Sequence, residues 1–327
     1  MKRIVILGGG TGGTLLANRL RRAYRPDETD GLTGPGWQRN VFTFYTPEGA
    51  EALRQALDRF DFGRLVVSFV DLPIKCPVAP LEFCFLADHY FRRRGIRHRV
   101  EITYVTPLDG AFTKPVASRE LGGLLAAKGI ELVTEFSTGT VEASRLVSYD
   151  DREVPFDLAV IVPLHGGAAY VGRSPGLGDE LDFVPVDPHT LQAKVKPNVF
   201  ALGDATDVPA SKAGSVAHFE GEVLAGNVRR FLAGKPLAAS FDGHTNCFIE
   251  TGCGQALLID FNYDTEPLTG HYPGPFGLPL LRPSRLNHFG KLAFQPLYWH
   301  GLLPGHDIPG IGPAMPARGK HRPAVRG

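Results

Sequence analysis

The stretch "IKCPVAPLEF", Ile74 to Phe83, decides how the chain is read. It follows an apolar run, "RLVVSFVDLP" (Arg64 to Pro73), and leads into a helix-compatible run, "APLEFCFLADHYFRRRG" (Ala79 to Gly95). This is the strand-to-helix turn at which a nucleotide-binding α/β unit keeps its glycine loop. Here the turn holds a cysteine and two prolines and no glycine. The surrounding pattern therefore predicts a dinucleotide-type lobe with a thiol where a phosphate cradle would be.

Outward from that turn the pattern stays α/β. "TPEGAEALRQALDRF" (Thr46 to Phe60) reads as a helix with Thr46 as cap and Pro47 in its first turn. "RVEITYVTP" (Arg99 to Pro107) is a strand, and "SRELGGLLAAKGIELVTEF" (Ser118 to Phe136) continues the alternation. A polar, hairpin-like stretch runs to Glu153, and "FDLAVIVPLHGG" (Phe156 to Gly167) is a buried strand with a glycine turn. A parallel sheet is the economical fold.

Both ends of the chain carry further nucleotide signatures. In "RIVILGGGTGGTLLANRLRRAY" (Arg3 to Tyr24) an apolar strand runs into Gly8, Gly10 and Gly13 and then a helix. Glycines at that spacing let a pyrophosphate approach the amides of a helix N-terminus. The second strand of such a unit, ending in a ribose-binding acid, is missing: "RPDETDGLTGPGWQRN" (Arg25 to Asn40) is polar and strandless, and Glu28 and Asp30 substitute poorly for the acid. In "KPNVFALGDATDVPASKAGSVAHFEGEVLAGNVRRFLAG" (Lys196 to Gly234), a strand Val199 to Leu202 is expected to end in Gly203 and Asp204. Asp204 then stands at a strand's carboxyl end, where open α/β sheets bind ligands, as an acceptor for a sugar-like hydroxyl.

Composition sets the outer limits. The 327 residues, 43% hydrophobic and 21% charged, suffice for two or more lobes with a real core. A net charge of +1 argues against a general nucleic-acid binder, although the tail Pro316 to Gly327 is locally basic. The start of the chain reads as a strand and not a signal peptide, and the sequence has no run of eighteen apolar residues of the kind that spans a bilayer. Cys76, Cys84, Cys247 and Cys253 follow no zinc spacing, and no metal site is expected. "RLNHFGKLAFQPLYWHGLLPG" (Arg285 to Gly305) interleaves aromatic and basic residues, bends at Pro296, and suits either an interfacial helix or core packing.

Taken together, "VILGGGTGG", "IKCPVAPLEF", "NVFALGDATDVPASKAGSVAHFEGE" and "NCFIETGCGQALLIDFNY" (Asn246 to Tyr263) resemble the sulfide:quinone oxidoreductases and the flavocytochrome c sulfide dehydrogenases. These are two-dinucleotide-domain flavoproteins, so the resemblance implies two Rossmann-like lobes with parallel sheets and a C-terminal amphipathic segment. The divisions it suggests are 1–45 (first part of the FAD lobe), 46–160 (second lobe, with Cys76), 161–240 (remainder of the FAD lobe) and 241–327 (C-terminal, with Cys247). Between Tyr24 and Pro26, roughly half of a ~100–150-residue lobe is expected to be absent relative to the family.

The resemblance also implies roles. Cys76 and Cys247 match the family's redox pair: sulfide attacks the bridge between them, Cys247 reacts at the flavin and Cys76 holds the growing polysulfane. Glu82 matches a carboxylate used for proton transfer. FAD would be held by Gly8, Gly10, Gly13, Gly203, Asp204 and Lys212, and Lys291 would lie near the quinone. Without glycines the Cys76 turn denies a pyrophosphate its close approach, while a helix N-terminus can still stabilise a thiolate or persulfide. The expected partners are sulfide or a small sulfur species, a quinone and, for a chain read as cytoplasmic, a peripheral contact with the cytoplasmic membrane, with the side of the membrane and homo-oligomerisation left open. Two rivals stand beside this reading: an NAD(P)H-dependent flavin oxidoreductase, and a catalytically inactive scaffold or sulfur-binding protein.

Overall fold

The computed structural model describes residues 24–306, 308 and 311–322. The glycine loop at Gly8, Gly10 and Gly13 lies outside the described residues. The chain divides into two compact units, one formed by Tyr24–His165 with Ile249–Leu257, the other by Gly166–Phe248 and the chain from Leu258 on.

In the first unit the short strands β1 (Tyr24–Arg25) and β2 (Val41–Phe42) precede β3 (Gly63–Phe69), the apolar run before the cysteine turn. The last five residues of β3 are buried without interruption, as expected of a strand covered on both faces. It pairs in parallel with β4 (Val100–Val105) on one side and β9 (Leu158–Val162) on the other. With β5 (Ile130–Val133) the sheet runs β2-β9-β3-β4-β5, every pair parallel. Helices α1 (Pro47–Arg59), α2 (Ala79–Arg93) and α3 (Pro115–Ala127) are its crossovers. The Thr46 hydroxyl accepts the Gly49 N–H at 3.0 Å, which satisfies one orphan donor of α1, and Pro47 fills the first turn where a missing N–H costs nothing.

The polar stretch before Glu153 becomes the antiparallel sheet of β6 (Thr138–Val141), β7 (Arg145–Ser148) and β8 (Glu153–Pro155). Strand β10 (Leu164–His165) pairs antiparallel with β1. Helix α2 buries Leu81, Cys84, Phe85, Asp88 and Phe91, which recur at helical spacing along one stripe. A buried carboxylate on such a stripe must be compensated. Arg92 at 2.9 Å, Arg97 at 2.7 Å and Lys128 at 3.5 Å compensate Asp88.

The second unit contains α4 (Ala169–Gly172), α5 (Gly214–Leu232) and α6 (Arg285–Leu297). Its core gathers Val171, Val184, Val186, Leu191, Phe219 and Phe241. Strand Val199–Leu202, expected from the sequence, is not assigned: among the described residues only Phe200 finds a ladder partner, Gln192, and a strand needs a run of them. The hairpin β11 (Thr245–Gly252) and β12 (Gln255–Phe261) has its base in this unit, and its tip belongs to the first. A three-stranded sheet follows, with β13 (Thr269–Tyr272) between β14 (Leu278–Pro279) and β15 (Lys320–His321). Fully buried Asp260 accepts from the Lys320 amine and lies 2.8 Å from His244 Nε2, which fixes β15 to the hairpin base. Pro296 lies inside α6, which passes directly into a π-helical turn, Tyr298–Leu302. A proline removes one backbone donor, and a wider turn is one way to continue past the gap.

Candidate functional site

Strand β3 is where the chain order of the sheet reverses. The chain leaves it through α2 to β4 on one side and returns on the other as β9. In open α/β sheets the crevice beyond the carboxyl ends of such strands is the ligand position. Two segments meet there: the loop after β3, with Cys76, and β10, with His165.

The loop is pinned one residue before the thiol. The Lys75 N–H donates to His165 Nδ1 at 2.8 Å, and the Tyr45 hydroxyl donates to the Lys75 carbonyl at 2.6 Å. The Tyr45 ring packs edge-on against His165 at 4.6 Å. His165 is fully buried, and desolvation, helped by the Lys75 charge, pushes its pKa down to about 3, so the ring stays neutral and Nδ1 remains an acceptor. Cys76 itself has φ +52, in the left-handed region that residues with a Cβ rarely enter. Its carbonyl accepts the Ala79 N–H at 2.9 Å, so the thiol-bearing residue closes the turn from which α2 starts. Glu82 follows, half-buried in the first turn of α2, where a carboxylate complements the helix dipole. Cys84, one turn into α2, is fully buried, and burial pushes its thiol far up, so it is packing and not chemistry.

In the second unit Gly203 takes φ +63 at the start of a 3-10 turn, Gly203–Ala205, which leaves the Asp204 carboxylate exposed. The Gly203 N–H donates to Glu220 of α5. Glu220 is buried, and desolvation pushes it up to about 7; the Gly203 amide and the Lys212 charge oppose this, and the Asp204 charge adds to it. Lys212 is also buried, with its amine donating to the Thr206 carbonyl at 2.5 Å and lying 4.3 Å over the Phe183 ring. At the N-terminus of α5, no atom of the described residues lies within 4 Å of where a Gly214 side chain would project. The Ser215 hydroxyl donates to the Asn246 carbonyl at 2.8 Å and ties this helix start to β11 beside Cys247. Cys247 is buried on the inward-facing set of β11, alternating with Thr245, Ile249 and Thr251. Lys291 is half-buried on α6.

The structure thus gathers Cys76 and Glu82 around the start of α2, and Gly203, Asp204 and Lys212 around the start of α5; Cys76 and Cys247 belong to different units. Three residues with structural leverage were not legible as such. Tyr45 and His165 act through a backbone contact that leaves no motif. Glu220 left a signal that could have been read: an acid between Val216, Phe219 and Val223 on the buried face of α5.

No family model matches the chain. It is 28% identical over 295 residues to the mitochondrial sulfide:quinone oxidoreductase of Schizosaccharomyces pombe, an alignment covering 81% of this chain and 62% of that protein. The Mus musculus mitochondrial sulfide:quinone oxidoreductase is 26% identical over 271 residues, 80% of this chain and 59% of its own. Among solved structures, the sulfide:quinone oxidoreductase of Aquifex aeolicus superposes with a TM-score of 0.67 at 16% identity, over 83% of this chain and 66% of that one. That superposition bears out the α/β fold with Rossmann-like lobes. The chain spans about three-fifths of the length of the curated relatives it matches. In sequence and in fold, the chain is sulfide:quinone oxidoreductase-like.

Proposed function

We propose that the chain is an FAD-dependent oxidoreductase that takes electrons from sulfide, or from a related small sulfur species, and passes them to a quinone. The observation that carries this reading is Cys76 itself. Cys76 has a left-handed backbone, follows a residue pinned by His165, and lies in the loop after β3, where a nucleotide phosphate would need glycines. The names of the relatives point to the same chemistry.

The described residues fit FAD at its middle. Asp204 would offer an exposed carboxylate to a hydroxyl, Gly203 supplies the left-handed turn, and the N-terminus of α5 would favour negative charge on the cofactor. When bound, FAD supplies the two-electron acceptor. The protein's own contribution is sulfur handling: Cys76 and Cys247 are the exchanging sulfurs, the α2 N-terminus favours a thiolate or persulfide at Cys76, and Glu82 holds the proton released there. Gly8, Gly10 and Gly13 would cradle the pyrophosphate, and Lys212, its amine bound to the Thr206 carbonyl, would favour an anionic ring through its field alone; Lys291 is assigned to the quinone.

Access to a quinone implies a membrane surface. No helix among the described residues is long and apolar enough to cross a membrane. Helix α6 and the turn after it instead expose Leu286, Phe289, Leu292, Trp299 and Leu303. Burying each in the headgroup boundary would contribute at most about 1.5–3 kcal/mol. A Phe289→Ser, Leu292→Ser, Trp299→Ser triple variant is expected to lose co-sedimentation with anionic liposomes, and equal sedimentation of the two proteins would refute attachment by this face.

The decisive test of the chemistry is anaerobic. The protein is supplied with FAD, and sulfide-dependent loss of flavin absorbance is followed, then its return on adding a soluble quinone. Cys76→Ser and Cys247→Ser should each abolish the loss, while Cys84→Ala leaves it nearly intact. Equal damage from all three would overturn the assignment, and reduction by NADH but not by sulfide would favour the nicotinamide-dependent rival.

A further inference from the structure

The first unit holds a second thiol arranged for chemistry, at the other end of α2 from Cys76. The β11–β12 hairpin turns on Cys253 and Gly254, with φ +56 and +67. Two successive left-handed residues make the tight hairpin turn that usually takes Asn-Gly or Gly-Gly, so a residue with a Cβ and a thiol at the first position is costly there. The turn leaves Cys253 exposed.

The turn is also seated against a base. Gly252, with φ +81, brings the hairpin tip so close to α2 that an added Cβ would meet His89 Cβ at 2.8 Å and the Phe85 carbonyl at 3.3 Å. His89 Nδ1 accepts the Cys253 N–H at 3.4 Å and lies 3.5 Å from Cys253 Sγ. The amide hydrogen and the thiol proton converge on the single lone pair of Nδ1, so the amide must yield that acceptor as the thiol proton transfers. Arg92, one turn further along α2 and exposed, binds Asp88 at 2.9 Å. His89 is ten residues beyond Ala79, about 15 Å along the helix, so this thiol does not share the Cys76 position.

We propose that Cys253 is a second sulfur-exchange site, with His89 as its base, that opens the S–S bond of a small anionic disulfide or persulfide. Sγ attacks one sulfur of the incoming molecule as its proton passes to His89 Nδ1. A new S–S bond forms to Cys253, the old one breaks, and the leaving thiolate departs with the electron pair. Cys253 is oxidised to the mixed disulfide or persulfide by the same two electrons that reduce the leaving half, so no further oxidant is needed. Arg92, three residues beyond His89 on the same helix, is the cation assigned to an anionic incoming molecule. The site is independent of the reading given to Cys76 and Cys247.

The test uses the full chain, reduced beforehand, with the dianionic disulfide dithiobis(nitrobenzoate) and the uncharged dithiodipyridine as probes, and peptide mapping to locate the product. Cys253 should be the first cysteine labelled, about tenfold or more faster than the same cysteine in a free TGCGQ peptide. His89→Gln should bring the rate back toward that of the peptide. His89→Phe, which keeps a packed ring but no nitrogen, should do the same, and this separates lost base from lost packing. Cys76→Ser should leave the Cys253 rate unchanged. Raising the salt should slow the dianionic probe and not the neutral one. Labelling of Cys253 at the peptide rate, or an unaltered rate in both His89 variants, would overturn the proposal.

Discussion

Asp88 in the first unit and Glu220 in the second are both buried carboxylates on the apolar face of a helix, and they are driven in opposite directions. Desolvation pushes each upward. For Asp88 the hydrogen bonds from Arg92 and Arg97, with the Lys128 charge behind them, outweigh it and hold the carboxyl below its usual range. Glu220 receives one backbone N–H from Gly203 and the field of a lysine whose amine is spent on a carbonyl, and that is too little; it rises to about 7. The difference teaches that burial does not set the charge of an acid. The number of donors aimed at it does.

The largest expected effect tests the compensated side. Asp88→Asn leaves Arg97 and Lys128 partly buried without their anion and should destabilise the first unit by about 3–4 kcal/mol, discounted because Arg92 is half exposed. Hydrogen exchange of the 79–93 peptide reads this directly, and a change under about 1 kcal/mol would mean that the three cations are solvated on their own.

Glu220 comes next. Its folded pKa lies above the unfolded value of 4.5, so its contribution is complete below that value and is lost as pH rises through about 7. Near pH 8 the loss is about 3 kcal/mol. Glu220→Gln should therefore stabilise the second unit at alkaline pH and flatten its melting profile there; an unchanged slope would remove the contrast with Asp88.

His165 gives the smallest of the three effects and lies in the unit of Asp88. Its folded pKa of about 3 lies below the ordinary 6.5, so the neutral ring contributes stability that is present above about 6.5 and is lost as pH falls. At about pH 5 the loss is ~2 kcal/mol. In His165→Gln this acid limb should disappear from exchange in the 63–75 segment, and its persistence would assign acid sensitivity to Asp88 alone.

Much of the first unit was legible because its signals are local. Thr46 and Pro47 cap α1 as their types require, the buried run before Pro73 is a two-face-covered strand, and the polar stretch before Glu153 turns back on itself as antiparallel strands. The second unit was less legible. The apolar Val199–Leu202 run has strand composition, yet among the described residues it finds one bridge partner, because pairing depends on what lies alongside and not on the run itself.

The sequence by itself determined the α/β alternation and the missing glycines at the Cys76 turn, because periodicity and residue type act over a few neighbours. Tertiary structure alone decided what each titratable or nucleophilic group can do. His165 reaches the loop of Cys76 from 90 residues away, His89 meets Cys253 across 164, and Glu220 bonds Gly203 across 17. Desolvation and directed hydrogen bonds depend on such distant neighbours, and a side chain's charge and reactivity follow from them.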